Sequence, residues 1–238
     1  MIPLKDDNPT TTTPFVTVGL VAINVAVFVY ELMLPPEALE TFVYKMAVIP
    51  AEVTQGVSLG PHLPVGLTLL TSMFLHGGPM HLVGNMLYLW IFGNNVEDQT
   101  GHLRFVLFYL ICGLAAAGTQ ILVSPSSQVP MIGASGAIAG VLGAYMLLFP
   151  HARVLTLIPI FIFIRLVYLP AALMLGFWFV YQLLLSGIGG PPEGGGVAFF
   201  AHIGGFVAGM ILIWIFRRRR ARRARRWQRE QRWEDWGA

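Results

Sequence analysis

Three short stretches of this chain set reactive or hydrogen-bonding side chains among small apolar residues. The first is Met131-Ile132-Gly133-Ala134-Ser135-Gly136-Ala137-Ile138-Ala139-Gly140. The second is His76-Gly77-Gly78-Pro79-Met80-His81-Leu82-Val83-Gly84-Asn85, and the third is Ala201-His202-Ile203-Gly204-Gly205. The glycines Gly133 and Gly136 clear the approach to the Ser135 hydroxyl, since glycine carries no Cβ and tolerates tight backbone geometry. A serine hydroxyl is a weak nucleophile until a neighbouring base takes its proton, and His202 is the candidate base. Acyl transfer also creates a tetrahedral oxyanion that needs donors, for which the Asn85 amide, the His81 ring N–H and the Ser135 backbone N–H are candidates. His81 and Asn85 are four apart and share one helical face. No acidic third member can be placed beside them, so the pattern predicts a Ser-His dyad.

Each feature alone has a plainer reading. Small residues around Ser135 suit close helix packing in a membrane, and His81 with Asn85 can satisfy backbone groups where short helices begin. What raises the chemical reading is the elements that must hold these residues. Of 238 residues, 55% are hydrophobic and only 11% charged, against about 25% charged in a soluble domain. The composition predicts an all-α, polytopic membrane protein. Cys112, the single cysteine, allows no intramolecular disulfide and reads as a small buried hydrophobe. The first apolar run starts at Phe15 and is about 20 residues long, enough to span; with no small-residue cleavage site after it, it reads as a retained span rather than a removed signal peptide.

Six spans are expected, near Phe15–Leu34, Met80–Phe92, Leu103–Leu122, Ser135–Phe149, Ala171–Leu185 and Ala198–Phe216. An even number puts both termini on one side. Ten of the 15 Lys and Arg lie between Arg217 and Arg232, and Lys5, Arg104, Arg153 and Arg165 fall on the same side, with only Lys45 opposite. By the positive-inside rule both termini are cytoplasmic. The chain then divides into a cytoplasmic segment 1–14, a six-helix membrane domain 15–216 and a basic tail 217–238 bearing Trp227, Trp233 and Trp236. Such a tail after a span is expected on anionic lipid rather than on nucleic acid.

The connections carry their own expectations. Residues 35–79 form a long outer segment apolar enough to lie partly in the bilayer interface. Gly189–Gly196, rich in Gly and Pro and containing Glu193, reads as a breaker-rich mobile outer connection. The run Val154–Leu169 is either a cytoplasmic re-entrant segment or an extension of the fifth span. Glu97-Asp98-Gln99 with Arg104 reads as an inner turn network. His62, His102 and His151 fall in loops and receive no role.

Depth links the three motifs. A fourth span of Ser135–Phe149 is about 22 Å long against a core of about 30 Å, which leaves Ser135 about 8 Å below the outer boundary. His202 falls about 6 Å below it, and the second span, also short, carries His81 and Asn85 at its outer end. Small faces on the fourth span (Gly136, Ala139, Gly140, Gly143) and the sixth (Ala201, Gly205, Gly209) let the backbones approach.

With these three motifs in this order, the sequence resembles the rhomboid family of intramembrane serine proteases over its six-span core. The resemblance implies that Ser135 is the nucleophile, His202 the base, His81 and Asn85 parts of the oxyanion site, and His76, Gly133 and Gly136 supporting. It implies no cofactor and no metal. It also implies cleavage of transmembrane protein substrates near a helix end, in a multi-pass protein of a bacterial or archaeal inner membrane whose site opens to the extracytoplasmic side. Some family features are absent: residues 35–79 hold neither Trp nor Arg, Val197 replaces a glycine, and Ala139 stands where some members stack a tyrosine on the histidine. Orientation of His202 must then come from elsewhere. Two other readings are a catalytically silent rhomboid-like protein that binds membrane helices, and a transporter or metal-handling protein using His76, His81 and His202.

Overall fold

The computed structural model describes residues 1–61, 63–160, 163–188 and 198–218. His62, Gly189–Gly196 with Glu193, Val197 and the tail beyond Arg218 lie outside the described residues. The chain is mostly helical, and its centre is α8 (Ser135–Leu148), buried continuously from Gly136 to Tyr145. A helix that is apolar on every side must be enclosed by others. Here α7 (His102–Val123), α9 (Ala171–Ile188) and α10 (Phe199–Phe216) enclose it, together with the helix that begins at Pro79.

The contact between α8 and α10 is made by backbone. A Cβ on Gly205 would collide with the Gly136 carbonyl, one on Gly209 with the Gly140 carbonyl, and one on Gly143 with the Phe206 carbonyl. Because lipid gives helices little hydrophobic reason to associate, such close van der Waals contact is what holds them. α7 closes the third side, with the Cys112 side chain against Gly140 and Ala116 against Gly136.

α1 (Phe15–Met33), α7 and α10 are each long and apolar enough to cross a membrane. α8 has 14 residues and is about 21 Å long, as the spacing predicts. The second expected span is not short. α5 (Pro79–Tyr88), a π-helical turn (Leu89–Gly93) and α6 (Asn94–Thr100) follow one another with helical backbone angles at each junction. The helix therefore continues past the expected end at Phe92 to Thr100, the π-turn absorbing one extra residue within a single run.

That extension carries Glu97 into the interior. Its carboxylate is fully buried and accepts the backbone N–H groups of Val16 at 3.0 Å and Thr17 at 2.8 Å, with the Thr17 hydroxyl at 2.7 Å. These are first-turn amides of α1, which have no partner within their own helix. His102 Nδ1 lies 2.6 Å from the same carboxylate, and Asp98 accepts the hydroxyls of Thr11 and Thr12. A network around Glu97 and Asp98 thus exists, but its partners are α1, the residues before it and His102 rather than Arg104. Arg218 joins it by donating its backbone N–H to the Gln99 carbonyl and its Nε–H to the Thr100 carbonyl.

The all-α expectation gives way at one place. Residues Arg153–Ile160 (β2) and Phe163–Pro170 (β3) form an antiparallel hairpin, and β1 (Ile2–Asp6) pairs antiparallel with β2, Ile2 opposite Leu157. Val154–Leu169 is therefore neither a re-entrant segment nor part of α9. Its β-branched and aromatic residues favour strand, and Pro159 interrupts any helix. Asp6, at the end of β1, accepts the Tyr145 hydroxyl at 2.6 Å and an Asn95 amide N–H at 2.9 Å, tying the sheet to α8 and α6. Burial pushes the Asp6 carboxyl above the usual carboxylate range, against the lowering effect of the Tyr145 bond.

The long segment 35–79 is also structured, as α2 (Pro36–Met46), α3 (Pro50–Gln55), α4 (Val65–Thr71) and a 3-10 turn (Ser72–Phe74). It is pinned to the stretch before α8. Met131 donates its N–H to the Val48 carbonyl at 2.7 Å, and Gly133 to the Ser72 carbonyl at 2.9 Å.

Gly209→Ala should lower unfolding stability in detergent by about 3 kcal/mol, because the collision is with backbone that cannot rotate away. Gly19→Ala, where a Cβ meets nothing, should be neutral or stabilising by up to about 1 kcal/mol. Equal effects in a denaturant titration would refute the backbone contact.

Candidate functional site

Ser135 is the first residue of α8, and His202 lies in the first turn of α10. The helix contact sets their separation, since Gly136 follows the serine directly and Gly205 lies three residues after the histidine on the same turn. Ser135 Oγ and His202 Nε2 are 2.8 Å apart. On the far side of the ring, His202 Nδ1 lies 2.8 Å from Gln182 Oε1. An amide oxygen can only accept, so Nδ1 carries the proton and donates it to Gln182. Nε2 is then a free lone pair to which the Ser135 hydroxyl donates. Trp178, one turn before Gln182 on α9, lies with its ring centroid 5.9 Å from that of His202.

The opposite wall comes from α5. Gly77 donates its N–H to His81 Nδ1 at 3.4 Å, so the neutral ring carries its proton on Nε2. Gly133 sits against that edge: a Cβ there would lie 2.8 Å from His81 Cε1 and 2.9 Å from Nε2, and 3.7 Å from Ser135 Oγ. Its φ of +124° is one that side-chain-bearing residues rarely adopt, so glycine is required twice over. Asn85, one turn below His81, is 7% exposed, and its Nδ2 has no hydrogen-bond partner among the described residues. A buried amide donor left unpaired costs about 1–3 kcal/mol, and Asn85 lines the cavity, where a hydrogen-bond acceptor can reach it.

Ser135, His202, His81, Asn85, Gln182 and Trp178 line one cavity of about 900 Å³. None of its lining residues among those described is an Asp, Glu, Lys or Arg. At the mouth of α8, its first amides lack intrahelical partners and present a partial positive charge to the cavity. His76 is brought near but not in. It is buried behind His81, ring centroids 5.1 Å apart and edge-on, and its backbone N–H is 3.3 Å from the Glu31 carboxylate of α1. Gly136 acts through packing alone.

Sequence reasoning missed Gln182, Trp178 and Glu31. The first and last were available to the rule that picked out His81: a carboxylate or amide inside an apolar helix is costly and by default functional. Gln120 on α7 belongs with them, accepting the Ala201 N–H at 3.3 Å and so fixing the start of α10. Among the described residues, no group of three or more His, Cys, Asp or Glu converges as metal ligands.

The rhomboid domain family model matches residues 65–219. The chain belongs to the rhomboid family. The matched rhomboid region contains His76, His81, Asn85, Ser135, Gln182 and His202, and α10 is its last helix. Relatives include rhomboid protein 1, mitochondrial, of Saccharomyces cerevisiae, 30% identical over 62% of this chain and 41% of its own length. RHOMBOID-like protein 6, mitochondrial, of Arabidopsis thaliana is 36% identical over 60% of this chain and 41% of its own. Rhomboid protease GluP of Bacillus subtilis is 45% identical over 33% of this chain and 15% of its own. The match thus spans well under half the length of these relatives. As a rhomboid with apolar spans, the chain is an integral membrane protein.

Gly133→Ala should displace His81 and strain the turn before Ser135. Labelling of Ser135 by a fluorophosphonate should slow by about tenfold or more, the scale of losing part of an oxyanion donor's contribution, while the detergent-purified protein stays folded. An unchanged labelling rate would contradict this placement.

Proposed function

We propose that this rhomboid is an intramembrane serine endopeptidase that hydrolyses peptide bonds in or near the transmembrane helices of other membrane proteins. The observation that carries the reading is the 2.8 Å contact between Ser135 Oγ and His202 Nε2, on a ring whose other nitrogen is committed as a donor. In that tautomer His202 takes the Ser135 proton as Oγ attacks the substrate carbonyl. The oxyanion accepts from the Asn85 Nδ2–H that is otherwise unpaired, from His81 Nε2–H and from the Ser135 backbone N–H. His202 then passes its proton to the departing amine, and water, activated by the same nitrogen, hydrolyses the acyl-serine.

The same reading assigns six membrane-crossing helices, the Pro79–Thr100 run and the shorter α8 and α9 included, with both termini on the cytoplasmic side. The catalytic groups then sit at one end of the bundle, and the Glu97 network with the β-sheet at the other. The cavity opens outward, which is where water must enter, because a helical peptide bond in lipid is both dry and protected by its own hydrogen bonds. The basic tail from Arg217 is assigned to anionic lipid, and the outer segment 35–79 to the bilayer interface. The curated relatives include mitochondrial, chloroplast and bacterial proteins, so they support a membrane and not a bacterial or archaeal one in particular.

Purified wild-type protein should cleave a transmembrane substrate in detergent or liposomes and react with a fluorophosphonate. Ser135→Ala and His202→Ala should each abolish cleavage, a loss of at least about four orders of magnitude, and Asn85→Ala should lower kcat by about 100-fold. Undiminished cleavage by Ser135→Ala would overturn the proposal. Loss of wild-type activity on chelation would point to a metal, and a folded wild type inert to substrate and label would indicate a silent helix-binding rhomboid.

A further inference from the structure

We propose that Gln182 of α9 is the positioning residue for His202, a neutral third member that locks the base in its working tautomer with Trp178 as a lateral wall. The proposal rests on the protease reading above. Gln182 is 6% exposed and sits in an otherwise apolar helix, a costly place for an amide unless its oxygen is used. Its oxygen is used on the face of His202 remote from Ser135. Gln182 and Trp178 are four residues apart and so share one face of α9. The amide meets the ring edge while the indole covers its side, with 37° between the planes.

These two contacts do what the absent tyrosine at Ala139 does not. Rotation of the imidazole about its Cβ–Cγ bond would break the Gln182 bond and strike the indole, so Nε2 stays on Ser135. Proton count follows from the acceptor. In the resting state Nδ1–H donates to the amide oxygen, and when Nε2 takes the serine proton the ring becomes a cation whose Nδ1–H bond to that oxygen strengthens. The amide stays neutral throughout and takes no proton. The other titratable groups lining the cavity are His81 from α5, Tyr88 from the same helix and Tyr181 beside Gln182. No carboxylate among the described residues lines it, so the cation forms against a dipole rather than an anion.

Steady-state cleavage of a transmembrane substrate as a function of pH tests this in the intact protein. Gln182→Met keeps length and apolar fit but removes the acceptor, and should lower kcat by about 10- to 100-fold with KM within twofold, the scale of losing well-placed general-base catalysis. Gln182→Glu restores the acceptor and adds a charge that favours the imidazolium. It should recover kcat at high pH and move the acid limb of the kcat profile upward by about 1 pH unit. A residue that merely packs α9 would shift neither the limb nor kcat alone. Wild-type kcat in a folded Gln182→Met, or an acid limb unmoved by Gln182→Glu, overturns the assignment. Failure of the protease reading is separate, appearing as no cleavage by wild type or full cleavage by Ser135→Ala.

Discussion

The site depends on two helices touching through bare backbone. Gly136, Gly140 and Gly143 on α8 meet Phe206, Gly205 and Gly209 on α10 with no room for a Cβ between them. Side chains of ordinary size would hold the axes 8–10 Å apart, and the change in spacing and register would move Ser135 and His202 off their 2.8 Å contact. The glycine register therefore fixes both how close the helices come and which residues are level, so packing and reactive geometry are one constraint. α7 reinforces it from behind through Cys112, Ala116 and Gln120.

Around that contact two sets of polar groups differ in how fully they are satisfied. At one end Glu97 is saturated by four donors, and its structural work is finished once α1 is capped. At the other end the bookkeeping is left open, with Asn85 Nδ2 buried and unpaired among the described residues and His81 lining the cavity. A saturated set stabilises the fold, whereas an unpaired donor at a cavity wall is open to an acceptor from a ligand.

Much of this was legible in the sequence because membrane chemistry restricts where polar residues go. Ser135, His202, His81 and Asn85 stood out against apolar helices, and the expected shortness of α8 matches its 14 residues. Gln182 was just as visible by that rule but was lost inside a run of Leu, Phe and Tyr that reads as a plain span. The strands were illegible for another reason. Val154–Leu169 is apolar apart from Thr156 and Arg165, and periodicity by itself cannot separate such a run from a helix; it folds as a hairpin whose further partner is the distant segment Ile2–Asp6. The π-turn at Leu89–Gly93 leaves no signature beyond a helix that continues past its expected end.

That pairing of β1 with β2 has a consequence for biogenesis. β1 is made before β2, yet its docking edge, Val154 to Leu157, emerges only after α8 has been synthesised. β1 must therefore wait for that edge while α1 to α8 are made. Closing so long a loop adds little entropic cost over a moderate one, so the delay is a matter of order rather than of energy. Asp6 meeting Tyr145 and Asn95 then acts as a latch that can engage only once the central helix is seated.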